Sequence, residues 1–97
     1  MRLEYHPATA AELNDAVHYL NSQRSGLGAS LREEIADTIN RIKDAPFRYR
    51  VVSGDIRRCF VNKFPFSVLY RVINEETVRI LVIRHHRLRP SYGTQRR

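Results

Sequence analysis

The sequence predicts an α+β fold: an N-terminal strand, a helical hairpin, then an antiparallel β-meander. Three observations carry that expectation. Apolar residues recur at helical spacing up to about residue 45, the pattern turns to alternation after Pro46, and the links between the alternating runs are short. Ninety-seven residues hold one core rather than two, so a single domain over 1–97 is expected, with 93–97 as a disordered tail.

Each element has its own signal. Arg2 to His6 alternates, with Leu3 and Tyr5 on one side, until Pro7 stops it. Thr9-Ala10-Ala11-Glu12 has capping-box spelling, in which the Thr hydroxyl accepts a backbone N–H three residues on and Glu12 reaches back. A first helix should run from about Ala10 to Gln23, turning Ala10, Leu13, Ala16, Val17 and Leu20 inward. Ser25-Gly26-Leu27-Gly28 breaks it. Leu31, Ile35, Ile39 and Ile42 then recur at spacings of four, four and three, opposite Arg32, Glu33, Glu34, Asp37 and Arg41. This second, amphipathic helix ends before Pro46, and a short turn makes the pair antiparallel.

Beyond Pro46 the candidate strands are Ile56 to Asn62, Phe66 to Ile73, and Thr77 to about His86. Lys63-Phe64-Pro65 and Asn74-Glu75-Glu76 are links of hairpin length, which favours a meander. Strict alternation places Phe66, Val68, Tyr70 and Val72 on one face and Ser67, Leu69, Arg71 and Ile73 on the other. The last strand divides into Val78, Ile80, Val82 against Arg79, Leu81, Ile83. One sheet face is apolar throughout and should pack on the helices. The other is apolar only in its middle, with arginines at its margins, and is either weakly covered or reserved for a partner.

Composition narrows the function. The net charge is +7, but it is unevenly spread: residues 1–45 carry five basic and seven acidic residues, a net of −2, and residues 46–97 carry twelve basic and three acidic, a net of +9. Fifteen of the seventeen basic residues are Arg, whose planar fork grips phosphate or carboxylate with two donors at once. An anionic partner is implied, either nucleic acid or an acidic protein. The one cysteine, Cys59, excludes an internal disulfide and suits a reducing compartment. The longest uncharged apolar stretch is Ile80 to Ile83, too short for a membrane span, and Met1-Arg2-Leu3-Glu4 lacks a signal-peptide core. A cytoplasmic location is expected.

The familiar catalytic patterns are absent from the sequence. Gly26-Leu27-Gly28 precedes a helix but follows another helix, not a strand, so it does not spell a dinucleotide site. His85 and His86 are neighbours on a strand and must face opposite ways, which prevents joint ligation of one ion; no metal or cofactor is implied. What remains is a basic constellation on the strands and their exit: Arg57, Arg58, Lys63, Arg71, Arg79, Arg84, His85, His86, Arg87, Arg89, then Tyr92. Such a set can hold phosphates while His or Tyr moves protons, or it can dock an acidic, initially disordered protein segment.

Phe64-Pro65-Phe66-Ser67-Val68-Leu69-Tyr70-Arg71-Val72, then Val78 to Val82, then His86-Arg87-Leu88-Arg89-Pro90, resembles the RelE/ParE superfamily of type II toxin-antitoxin toxins over nearly the whole chain. The resemblance implies a small growth-arresting toxin bound by a cognate antitoxin, in a hetero-oligomer whose antitoxin segment covers the basic face. The superfamily has a RelE-like branch that cuts messenger RNA on the ribosome and a ParE-like branch that poisons DNA gyrase. An Arg commonly stands in the RelE-like branch where this chain has Ser67, and Phe-Pro-Phe with His86-x-x-Arg89-Pro90 resembles the ParE-like branch. Gyrase is therefore the favoured target. Under the ribonuclease alternative, Arg58 would bind phosphate, Arg84 or Arg87 would offset transition-state charge, and His86 or Tyr92 would act as acid or base. A third possibility is a non-toxic module that only binds an antitoxin. In the binding readings Arg57, Lys63, Arg71, Arg79, Arg84, His85, Arg87 and Arg89 would contact the target or the antitoxin.

Overall fold

Helical periodicity in the first half and alternation in the second produce the expected order in the computed structural model, which describes residues 1–97. The elements are β1 (Arg2–Tyr5), α1 (Ala8–Gln23), α2 (Leu27–Asp44), β2 (Arg50–Ser53), β3 (Ile56–Phe60), β4 (Phe66–Asn74) and β5 (Thr77–His85). Leu31, Ile35, Ile39 and Ile42 of α2 are buried, and Leu13, Ala16, Val17 and Leu20 of α1 pack on the same core. Where the two helices meet, Gly28 gives its N–H to Asn21 Oδ1 at 2.9 Å. A Cβ at Gly28 would stand 2.6 Å from Val17 Cγ1, so this residue sets how closely the hairpin closes.

The capping box does not form. The helix begins two residues earlier than expected, after Pro7, whose φ of −55° is already helical. Thr9 therefore falls inside the first turn, buried, with its hydroxyl donating to the His6 carbonyl at 2.8 Å. Glu12 is left free to reach across to β5.

The sheet order is β1-β5-β4-β3-β2. The predicted meander β3-β4-β5 is antiparallel throughout, whereas β1 runs parallel to β5, from Arg2 opposite Thr77 to Tyr5 opposite Ile80. The edge strand β2 has no counterpart among the predicted strands. All four of its residues are exposed, so it carries no inward-outward alternation to betray it.

A β-bulge changes the predicted faces. Leu69 pairs with Val82 and Tyr70 with Ile80, which leaves Leu81 as an extra residue on β5. Past that point every side chain of β5 changes sides. Val82 joins Ile56, Leu69 and Leu81 in a small apolar cluster on the face away from the helices, and Ile83 joins the helix-facing core with Val68, Tyr70, Val78 and Ile80. Strict alternation assigns Val82 and Ile83 the other way round. Tyr70, wholly buried in that core, donates its hydroxyl to the Pro46 carbonyl at 2.6 Å, and burial pushes its phenol pKa up. Cys59 is buried too, and the same desolvation raises its thiol pKa.

The segment after Tyr92, expected to be disordered, is instead packed. Gly93 is buried against the Val82 side chain, and Arg96 reaches both Glu12 and the Leu81 carbonyl. These contacts join residues far apart in sequence, which no local pattern records.

Candidate anion-binding surface

The register of the meander sets Phe60, Ser67 and Arg84 in one row across β3, β4 and β5, on the face away from the helices. Arg58, two residues before Phe60, shares that face. Arg84 is only 7% exposed, a low value for a guanidinium. Its Nη1 donates to the Arg89 carbonyl at 3.1 Å, and its Nε has no partner. Arg58 lies over the Phe60 ring, 4.4 Å from the centroid, and its Nε is likewise unpartnered. Neither arginine forms an ion pair. Burial, and then the positive charge of Arg58, lower the Arg84 pKa. A buried Arg84 beside a half-buried Arg58, with no counter-ion for either, is costly, and a bound anion would offset that cost through charge-assisted hydrogen bonds.

His86 completes this end of the face. Its Nε2 shares a 2.8 Å hydrogen bond with Ser67 Oγ, and its ring stands edge-on to Phe60 at 5.5 Å between centroids. Arg58, Arg84 and His86 are thus brought together, with Arg89 linked through its carbonyl and Arg87 exposed at the strand exit.

The other candidates lie elsewhere. Arg71 and Arg79 occupy the far end of the same face, and both already have carboxylates. Arg71 pairs with Asp55 at 2.7 Å, a hydrogen bond that holds the Asp55 carboxyl below its usual range, and Arg79 pairs with Glu4 at 3.3 Å. Arg57 faces the helix side, where Nη1 donates to the carbonyls of Phe47 and Tyr49 and tethers the loop before β2. Lys63 pairs with Glu34 of α2 at 3.3 Å. His85 faces the helix side as well, edge-on to Phe66 at 4.9 Å, with Nδ1 accepting the Arg87 N–H; burial, followed by Arg87 and His86, lowers its pKa. Tyr92 gives its hydroxyl to Glu12 Oε2 at 2.8 Å and lines a cleft of about 320 Å³ with Asp15, Ala16, Tyr19, His85 and Arg87, so the structure brings three candidates, His85, Arg87 and Tyr92, to one cleft.

Residues 3–90 match the family described as ParE toxin of type II toxin-antitoxin system, parDE. The chain belongs to the ParE toxin family. That span includes Arg58, Ser67, Arg84, His86 and Arg89 of this ParE-family toxin, and it stops short of Tyr92, Gly93 and Arg96. Among solved structures, one from the chromosomal ParDE toxin-antitoxin system of P. aeruginosa shares the fold, with a TM-score of 0.73 at 19% identity, covering 88% of this chain and 95% of that one. No curated protein sequence matches the chain. No helix is long and apolar enough to cross a membrane.

Ser67 on this surface and Glu12 at the edge of β5 carry no legible signal in the sequence. Ser67 reads there only as a departure from the RelE-like pattern, although its place opposite the last strand makes it a neighbour of the histidine pair. Glu12 reads as a helix cap, because its spacing from Thr9 fits one.

Proposed function

We propose that this toxin inhibits DNA gyrase by binding and is neutralised by a cognate antitoxin, with both partners drawn to the Arg58–Arg84 end of the sheet. The observation that carries this reading is the adjacent Arg58 and Arg84 guanidinium groups, which have no carboxylate at that end of the face. An anionic partner supplies the missing counter-charge, whether it brings DNA phosphates held on gyrase or the acidic residues of an antitoxin segment. Binding is favoured over catalysis because the one tyrosine near the strand exit is already engaged with Glu12. The test is a supercoiling assay with purified protein: inhibition with trapped cleaved DNA is expected, and normal gyrase activity at doses that arrest growth would sink the proposal.

One observation favours a second reading. The Ser67–His86 hydrogen bond beside two arginines supplies a positioned imidazole and phosphate donors, the minimum for ribosome-dependent messenger cleavage. That reading expects cuts in the ribosomal A site during translation arrest, and intact messenger during arrest rules it out. Growth arrest on induction of this chain alone would exclude a module that only binds an antitoxin.

A further inference from the structure

Arg84 is oriented by a tail carbonyl, and what holds the tail lies on the other side of the sheet. β1 ends at Tyr5, opposite Ile80, while β5 runs on to His85, so the upper edge of β5 has no neighbouring strand. Two side chains take the place of one. Glu12 Oε1 accepts the Ile83 N–H at 3.1 Å, as a strand carbonyl would, and Arg96 Nη1 donates to the Leu81 carbonyl at 3.0 Å, as a strand amide would. The two side chains also pair with each other at 2.9 Å, at exposures of only 12% and 16%. The Tyr92 hydroxyl adds a third bond to the same carboxylate, and the Arg96 guanidinium lies 5.2 Å over the Tyr92 ring.

We infer that Glu12 is a positioning residue for the anion cradle: it latches the tail from the helix side, and the latched tail presents the Arg89 carbonyl to Arg84. The inference rests on the reading of the Arg58–Arg84 end as the binding surface. That carbonyl also accepts the Tyr92 N–H at 2.9 Å, so one turn joins the residue Glu12 grips to the acceptor Arg84 needs. Without the Glu12 carboxylate, Tyr92 and Arg96 lose their common anchor, residues 89–97 keep the Arg96–Leu81 and Arg79–Arg97 hydrogen bonds and their own short turns, and the Arg89 carbonyl is no longer fixed from the helix side. The nearly buried Arg84 guanidinium then reorients beside Arg58, and the two charges are no longer held as a fixed pair for an anion.

The Arg84 Nε–H resonance of the 15N-labelled full chain reads this directly. Glu12→Gln and Arg96→Gln are each expected to shift it in the ligand-free protein, and Arg96→Lys, which keeps a charge for Glu12, is expected to restore most of the wild-type position. Titration with inorganic phosphate should show the midpoint rising at least threefold in both Gln variants. An unmoved Arg84 resonance in folded Glu12→Gln or Arg96→Gln overturns the latch, as does a shift that Arg96→Lys fails to reverse. If the wild-type resonance ignores phosphate but still moves on unlatching, the latch stands and the cradle reading falls. Arg96→Gln lies outside the core and keeps the test available if Glu12→Gln does not fold.

Discussion

Arg84 combines burial with an unmet charge. Its side chain is desolvated, its Nε lacks a partner, and the neighbouring charge that depresses its pKa, Arg58, has the same sign. Replacing a poorly paired buried ion with an apolar side chain of similar reach is commonly neutral or stabilising. Arg84→Met is therefore expected to raise the denaturant midpoint by the equivalent of about 1–3 kcal/mol, with an unchanged slope, while abolishing growth arrest. A variant less stable than wild type would show that the Arg89 contact outweighs the desolvation of the guanidinium. Arg71 offers the contrast on the same face: its guanidinium has Asp55, and substitution there removes a satisfied pair with no comparable relief.

At the scale of elements, periodicity makes legible what is repeated and misses what is singular. The four-four-three recurrence from Leu31 to Ile42 locates α2 because each residue meets the same core. The meander is legible for the same reason. A bulge has no such signature, since Leu81 is as apolar as its neighbours and only the pairing with β4 reveals the extra residue. β2 is invisible because it buries nothing, and the tail because its anchors, Tyr92 and Glu12, are eighty positions apart. The tail also rests on a backbone requirement at Gly93, where φ is +77° and a Cβ would collide with the Val82 side chain. Gly93→Ala is expected to cost about 1–3 kcal/mol and to open residues 89–97 to proteolysis before global unfolding. Adding Val82→Ala relieves the collision but leaves the left-handed φ, so it should recover only part of the loss. Full recovery would place the cost in packing alone.

Over the whole molecule, eight of the twelve basic residues of the second half fall into two groups with different consequences. Arg71 and Arg79 are neutralised by Asp55 and Glu4, and Arg57 and Lys63 serve loop and helix contacts. Arg58, Arg84, Arg87 and Arg89 form no ion pair, and they sit together at the end of the sheet where β5 exits. Of the sheet arginines on that face, those at the β5 exit are therefore the ones without a carboxylate, although arginines line the whole face. Because each phosphate neutralised releases about 0.9 counterion from duplex DNA, this end of the face should govern the salt dependence of any binding to DNA. Charge removal at Arg87 or Arg89 is expected to lower the slope of log K against log salt by about 0.9 for each phosphate left without its arginine, with little change in stability because both side chains are exposed. Arg71→Gln should leave the slope within error, since its charge is already paired. An equal fall in slope from substitutions at either end would mean that the partner spans the full face and displaces Asp55 and Glu4, and the paired arginines would then be reserve groups that exchange one carboxylate for a phosphate on binding.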